Sequence, residues 1–219
     1  MPFRDRDHAA HLLVAELAKW RGAHPVVLAI PRGAVPMGQI IANALGGELD
    51  VVLTRKIAAP GNPELAIGAV GESGWHFLDS RAAVLGASNA YIETAIKAQR
   101  ALMAERRARY TPHRPQLALA DRIAIIVDDG LATGATMIAA IHDVKALKPA
   151  RLVCAVPVAS SEALSRVNAL ADEVVCLEVP AEFWAVGQFY RDFPQVDDAE
   201  VIEILRHAGT DRTHESPEE

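Results

Sequence analysis

Two adjacent carboxylates, Asp128 and Asp129, close an apolar run and lead directly into Gly130-Leu131-Ala132-Thr133-Gly134-Ala135-Thr136-Met137. The glycines and alanines of this stretch let a ligand approach the backbone closely. The N–H groups that open a following helix have no intrahelical acceptor, and the helix dipole favours negative charge beside them. Thr133 and Thr136 add hydroxyl donors. A phosphate suits this half of the motif. The two carboxylates must then serve another part of the same ligand, and adjacent hydroxyls or a hydrated magnesium ion are natural partners for them. No lysine follows Gly134, so this is not a Walker A loop, nor is it the GxGxxG dinucleotide fingerprint. The competing reading is a small-residue turn from strand to helix, capped by aspartate, with no ligand.

Three further stretches carry groups of interest. Pro31-Arg32-Gly33-Ala34 follows the first apolar run. Thr54-Arg55-Lys56 precedes Ile57–Glu64 (IAAPGNPE), whose two prolines and Gly61 exclude regular structure and point to a mobile lid or a hairpin tip. The segment Pro180–Val196 collects Phe183, Trp184, Phe189, Tyr190 and Phe193. The histidines are dispersed without metal-ligand spacing, and no Ser–His–Asp order is present. Cys154 and Cys176 lie inside apolar runs and read as reduced core residues, since two thiols without nearby histidines make a poor zinc site.

The elements that must position these groups follow from hydrophobic patterning. Pro25–Ile30, Val51–Thr54, Ile123–Val127, Leu152–Val156 and Val174–Val179 are short apolar runs without alternation. Such runs predict strands buried on both faces, hence a parallel sheet covered by helices. Between them, Thr136–Leu147 puts Met137, Ile141 and Val144 on one stripe, and Ser160–Leu170 opens with capping chemistry. The pattern is the βαβ alternation of an open α/β sheet, and ligands of such sheets bind beyond the carboxyl ends of the strands. A long helix is predicted over Asn89–Tyr110, with Tyr91, Ile92, Ala95, Ile96, Gln99, Leu102 and Met103 near one face. It also carries Lys97, Arg100, Arg106, Arg107 and Arg109, with Arg114 beyond it. Glu93 and Glu105 interrupt that basic face, which favours a solvated surface or subunit contact over nucleic acid.

IAIIVDDGLATGATM closely resembles the signature of the type I phosphoribosyltransferases, in which an apolar strand, two acidic residues and a Thr-Gly-x-Thr loop bind 5-phosphoribosyl 1-pyrophosphate (PRPP). The resemblance implies an open parallel sheet flanked by helices, with a small hood. It implies one domain over residues 1–219, with the core sheet in about 21–180 and a hood from 181–219 and part of 75–118. Carried over by position, Asp128 and Asp129 would hold the ribose hydroxyls and, through water, magnesium. Ala132, Thr133, Gly134, Ala135 and Thr136 would wrap the 5′-phosphate. Arg32 and Gly33 would form the pyrophosphate loop, with the Pro31–Arg32 bond a candidate cis peptide. Arg55 and Lys56 would meet the departing pyrophosphate under the lid, and Phe183 or Trp184 would stack on a base beside the Val186 backbone.

The resemblance therefore implies a magnesium-dependent phosphoribosyltransferase acting on a nucleobase-like nitrogen heterocycle, as in nucleotide salvage. The alternative is a regulator on the same fold that binds PRPP or a nucleotide without turnover. The net charge of −6 excludes a general polyanion binder, so positive charge must be placed locally. The opening MPFRDRDHAA is charged where a secretory signal needs an apolar core, and no apolar run approaches the roughly 20 residues of a membrane span. A soluble, cytoplasmic homo-oligomer is expected.

Overall fold

The computed structural model describes residues 2–112 and 115–210. In chain order the elements begin with α1 (Arg6–Glu16), β1 (Val26–Ala29), α2 (Ala34–Leu45), β2 (Glu48–Val51), β3 (Thr54–Ala59), β4 (Asn62–Gly71), β5 (His76–Leu78) and α3 (Asn89–Tyr110). They continue with β6 (Ile123–Val127), α4 (Ala135–Ala146), β7 (Arg151–Val158), α5 (Ser161–Asn168), β8 (Glu173–Glu178) and α6 (Asp198–Thr210).

Five strands form a parallel sheet in the order β2-β1-β6-β7-β8. Its side chains divide by alternation into two core layers. Val27, Ala29, Ile125, Val127, Val153 and Ala155 face α1, α2 and α6. Val26, Leu28, Ala124, Ile126, Leu152, Cys154 and Val156 face α4 and α5. Both layers are buried, which is why these runs show no polar alternation. The helices start where the capping residues say they should: Asp5, Ser88 and Ser160 accept from the N–H groups of His8, Tyr91 and Ala163. Cys154 is buried, Cys176 is half-buried, and both are free.

The run Val51–Thr54 is not one strand but a seam. β2 ends at Val51, β3 begins at Thr54, and Val52 and Leu53 are buried between two sheets. The second sheet is antiparallel, in the order β3-β4-β5. Ile57–Glu64 is consequently the tip of the β3–β4 hairpin, with regular strand on both sides. Its prolines are accommodated because Pro60 sits in the turn and Pro63 lies where the ladder shifts register, so no ladder donor is lost. Gly61, at φ +71°, supplies the left-handed turn residue.

Helix α3 spans the expected residues, and Tyr91, Ile92, Ala95 and Ile96 pack against the core while Leu102 stays 44% exposed. Its basic residues do not form one face. Arg107 turns inward and binds Asp50 at 3.0 Å, Glu72 at 2.6 Å and the Val51 carbonyl at 2.8 Å, tying α3 to both sheets. Arg114 lies outside the described residues. Among the described residues no helix is long and apolar enough to cross a membrane.

Candidate functional site

The loops after β1, β6 and β7 and the segment after β8 meet at the carboxyl edge of the sheet. Asp128 and Asp129 follow β6 directly, and the Asp129 N–H donates to Asp128 Oδ1 at 2.9 Å. Burial, with the neighbouring Asp129 charge, pushes the Asp128 carboxyl well above the usual range. Burial also raises Asp129, but a guanidinium opposes it: Arg6 Nε and Nη2 donate to Asp129 Oδ2 at 3.0 and 2.8 Å. The Tyr190 hydroxyl donates to the Asp129 carbonyl at 2.7 Å, and burial keeps that phenol protonated.

Gly33, in the loop after β1, presses against this pair. A Cβ there would stand 2.2 Å from Asp129 Oδ2 and 2.9 Å from Arg6 Nη2. The Pro31–Arg32 peptide beside it is cis, the isomer the resemblance implied. The Arg32 side chain, however, turns toward the first turn of α6, where its Nη1 lies 3.7 Å from Asp198. Asp198 also accepts from the Tyr110 hydroxyl at 2.6 Å and lies 3.6 Å from Arg109.

The small-residue loop is held by its carbonyls. The Ser160 hydroxyl donates to Ala132 O at 2.8 Å, and Arg166 Nη1 donates to Thr133 O at 3.1 Å. Gly134, at φ +73°, then turns the chain into α4, which starts without a side-chain cap. Engaging the carbonyls on α5 leaves the dipole end of α4 as the electropositive part of the loop. Gly130 admits the aromatic segment, since a Cβ there would come within 2.6 Å of Val186.

Two clefts flank the stretch Ala132–Thr136. The first, about 460 Å³, brings Arg55 and Lys56 together with Thr136, Gln99 and the hairpin residues Pro63 and Glu64. Thr54 lines it too, and its Oγ1 is buried without a partner. Arg55 Nε donates to Gln99 Oε1, and burial together with Arg106 lowers the Arg55 guanidinium. The second cleft, about 420 Å³, is lined by Ala132, Thr133, Ser160, Glu162, Phe183 and Trp184. Trp184 is 84% exposed, a surface without a packing role.

The structure thus gathers Arg55, Lys56 and Thr136 around one cleft, and Ala132, Thr133 and Trp184 around the other. Arg32 lines neither. Arg6, Ser160, Arg166 and Gln99 carry no sequence signal for the site: each reaches it from an element remote in the chain. Tyr190 was visible only as one member of an aromatic cluster. No cluster of three or more His, Cys, Asp or Glu among the described residues is arranged to hold a metal.

Comparison with known proteins bears on this arrangement. The phosphoribosyl transferase domain model matches residues 5–194. A Mycobacterium tuberculosis protein, provisionally named a phosphoribosyl transferase in strains CDC 1551 / Oshkosh and H37Rv, is 41% identical over 210 residues. That match covers 95% of this chain and 47% of the relative, so the chain spans about half the length of the curated relatives it matches. The crystal structure of TT1426 from Thermus thermophilus is 49% identical, covers 94% of this chain and 99% of its own, and superposes with a TM-score of 0.80. AQ2163 of Aquifex aeolicus shares the fold alone, at 12% identity and a TM-score of 0.50, covering 80% of this chain and 74% of its own. With a family match that runs from α1 to the end of the aromatic segment, the chain belongs to the phosphoribosyltransferase family.

Proposed function

We propose that this chain transfers the 5-phosphoribosyl group of PRPP to a ring nitrogen of a nucleobase-like heterocycle, releasing pyrophosphate. The observation that carries the reading is the joining, in one cleft, of Thr136 with the Arg55–Lys56 pair, while Asp128 and Asp129, half-buried, open the loop that leads from β6 to Thr136. The loop 132–136 takes the 5′-phosphate on backbone N–H groups and threonine hydroxyls. Asp128 and Asp129 accept the ribose hydroxyls. Arg55 and Lys56 receive the pyrophosphate as the anomeric C–O bond breaks and its electron pair leaves with the oxygen. The acceptor nitrogen bonds to the anomeric carbon, and its proton passes to Asp129, which burial makes more basic than an ordinary carboxylate. Phe183 and Trp184, in the hood from residue 181 onward, offer the acceptor an aromatic surface.

The donor set fits magnesium, which takes one or two carboxylates and completes its shell with water and substrate phosphate. Asp128 and Asp129 would hold it through water. When bound, the ion neutralises charge on the departing pyrophosphate. One observation favours the second reading, binding without turnover: Arg32 pairs with Asp198 and lines neither cleft.

Calorimetry with PRPP and magnesium, followed by pyrophosphate release over a panel of purines, pyrimidines and other heterocycles, tests both readings. Binding with release is expected for at least one acceptor. An Asp128→Asn/Asp129→Asn variant should bind at least about 10²-fold more weakly. Absence of PRPP binding by the unaltered chain refutes both readings, and binding without release on every acceptor selects the regulator.

A further inference from the structure

Arg6 is the first residue of α1, a position where the helix dipole disfavours a cation. Nothing in the stability of α1 itself calls for arginine there. Every polar contact of its guanidinium goes elsewhere: two donors to Asp129 Oδ2, and Nη1 to the Pro194 carbonyl at 2.6 Å. The guanidinium also lies 3.8 Å from the centre of the Phe193 ring, and the side chain is only 10% exposed. Gly33 closes the other side of the pair.

Resting on the phosphoribosyltransferase reading above, we infer that Arg6 is a positioning residue for the ribose: it pins Asp129 by one oxygen and presents the other to the sugar hydroxyls. Arg6 gives Asp129 Oδ2 both of its nearer donors, so rotation of the carboxylate breaks two charge-assisted bonds at once. The free oxygen then has one direction. Phe193 and Pro194 hold Arg6 in turn, so the segment that carries Phe183 and Trp184 sets the orientation of an acid just beyond β6. The acceptor's binding wall and the ribose clamp are mechanically one unit. Arg6 does not touch the substrate in this arrangement, and its effect on binding must pass through Asp129.

The test compares two ligands, PRPP with magnesium and inorganic pyrophosphate with magnesium, because only the first carries a ribose. In Arg6→Gln, PRPP affinity is expected to fall at least about tenfold, while pyrophosphate affinity stays within about twofold. Arg6→Lys, which keeps the charge but loses the fork, should recover part of the PRPP loss. Phe193→Leu frees Arg6 from its stacked surface with the ion pair intact; a PRPP-specific loss of about threefold is expected, and this variant decides the matter if Arg6→Gln does not fold. An equal loss for both ligands, or no loss for either, overturns the inference. Failure of the unaltered chain to bind PRPP refutes the phosphoribosyltransferase reading instead, and the two failures are distinct.

Discussion

Replacing Gly33 by alanine should disable the site while leaving the fold largely intact. Gly33 has φ −57° and ψ −31°, a conformation any residue adopts, so the substitution strains no backbone. The obstacle is contact. The new Cβ would stand 2.2 Å from Asp129 Oδ2, and 2.9 and 3.0 Å from Arg6 Nη2 and Nε. A tolerable carbon–oxygen contact requires the carboxylate to retreat by about 1 Å. A flexible surface side chain would yield cheaply, but the Asp129 side chain is half-buried and held by Arg6, and its own carbonyl is held by Tyr190. Overpacking of this kind costs about 1–3 kcal/mol of stability, or roughly 2–12 °C in Tm for a chain of this size. A displacement of about 1 Å in a positioned group costs about 10²-fold in function. Calorimetry with PRPP and magnesium should therefore show a Kd raised by about two orders of magnitude, with a single cooperative thermal transition retained. Gly22→Ala is the control: its φ of +77° makes the substitution strained, by about 1–2 kcal/mol, but nothing lies within 4 Å of the added carbon. It should lower Tm and leave binding alone. PRPP affinity in Gly33→Ala equal to that of the unaltered chain would refute the claim that Gly33, Arg6 and Asp129 form one packed unit.

Three other outcomes are expected. Arg107→Ala removes the guanidinium shared by the 1%-exposed Asp50 and the Glu72 carboxylate, and should cost about 3–5 kcal/mol in chemical denaturation, whereas Arg109→Ala, 60% exposed, should stay within about 0.5 kcal/mol. Burial raises the Asp143 carboxyl, whose partners are the Ser73 hydroxyl and N–H, so its contribution to stability is present at low pH and is lost as pH rises through its folded value. Asp143→Asn should flatten the stability profile, gaining on the unaltered chain in denaturation midpoints as pH rises above the ordinary carboxylate range. Burial pushes the Cys154 and Cys176 thiols up to about 12 and about 11, so a disulfide reagent at pH 8 should react slowly with the native chain and promptly with two thiols once it is unfolded.

What the sequence made legible was local. Strand β6, its two acids and the loop into α4 are contiguous, and each residue type there acts on its immediate neighbours. Helix α3 was legible from the apolar residues that recur near one of its faces. A hairpin tip was one of two readings of Ile57–Glu64, but the strand within that segment was obscured because Pro60 and Pro63 read as breakers, while only the register shift shows how a ladder passes them. Arg107 read as a surface charge because Asp50 and Glu72 lie 57 and 35 residues away. The direction of Arg32 is set by Asp198 on α6, and that of Asp129 by Arg6, 123 residues earlier. Such choices belong to packing between distant elements, which residue patterning along the chain does not encode.

Phe3 lies beside Tyr190 in a parallel bridge, the Phe3 N–H donates to Phe189 O, and the Arg191 and Asp192 N–H groups donate to Phe3 and Arg4 carbonyls. Synthesis on the ribosome therefore delivers the parts of the site out of order. The phosphate loop exists as sequence some sixty residues before Phe193 and Pro194 can seat Arg6. Until then Asp128 and Asp129 share an edge of the sheet open to water, where neither burial nor Arg6 acts on them as in the finished chain. The acidic clamp thus forms only after synthesis has passed Pro194, and ribosome-bound chains halted before Phe193 should hold the strand and the loop but not the oriented carboxylate.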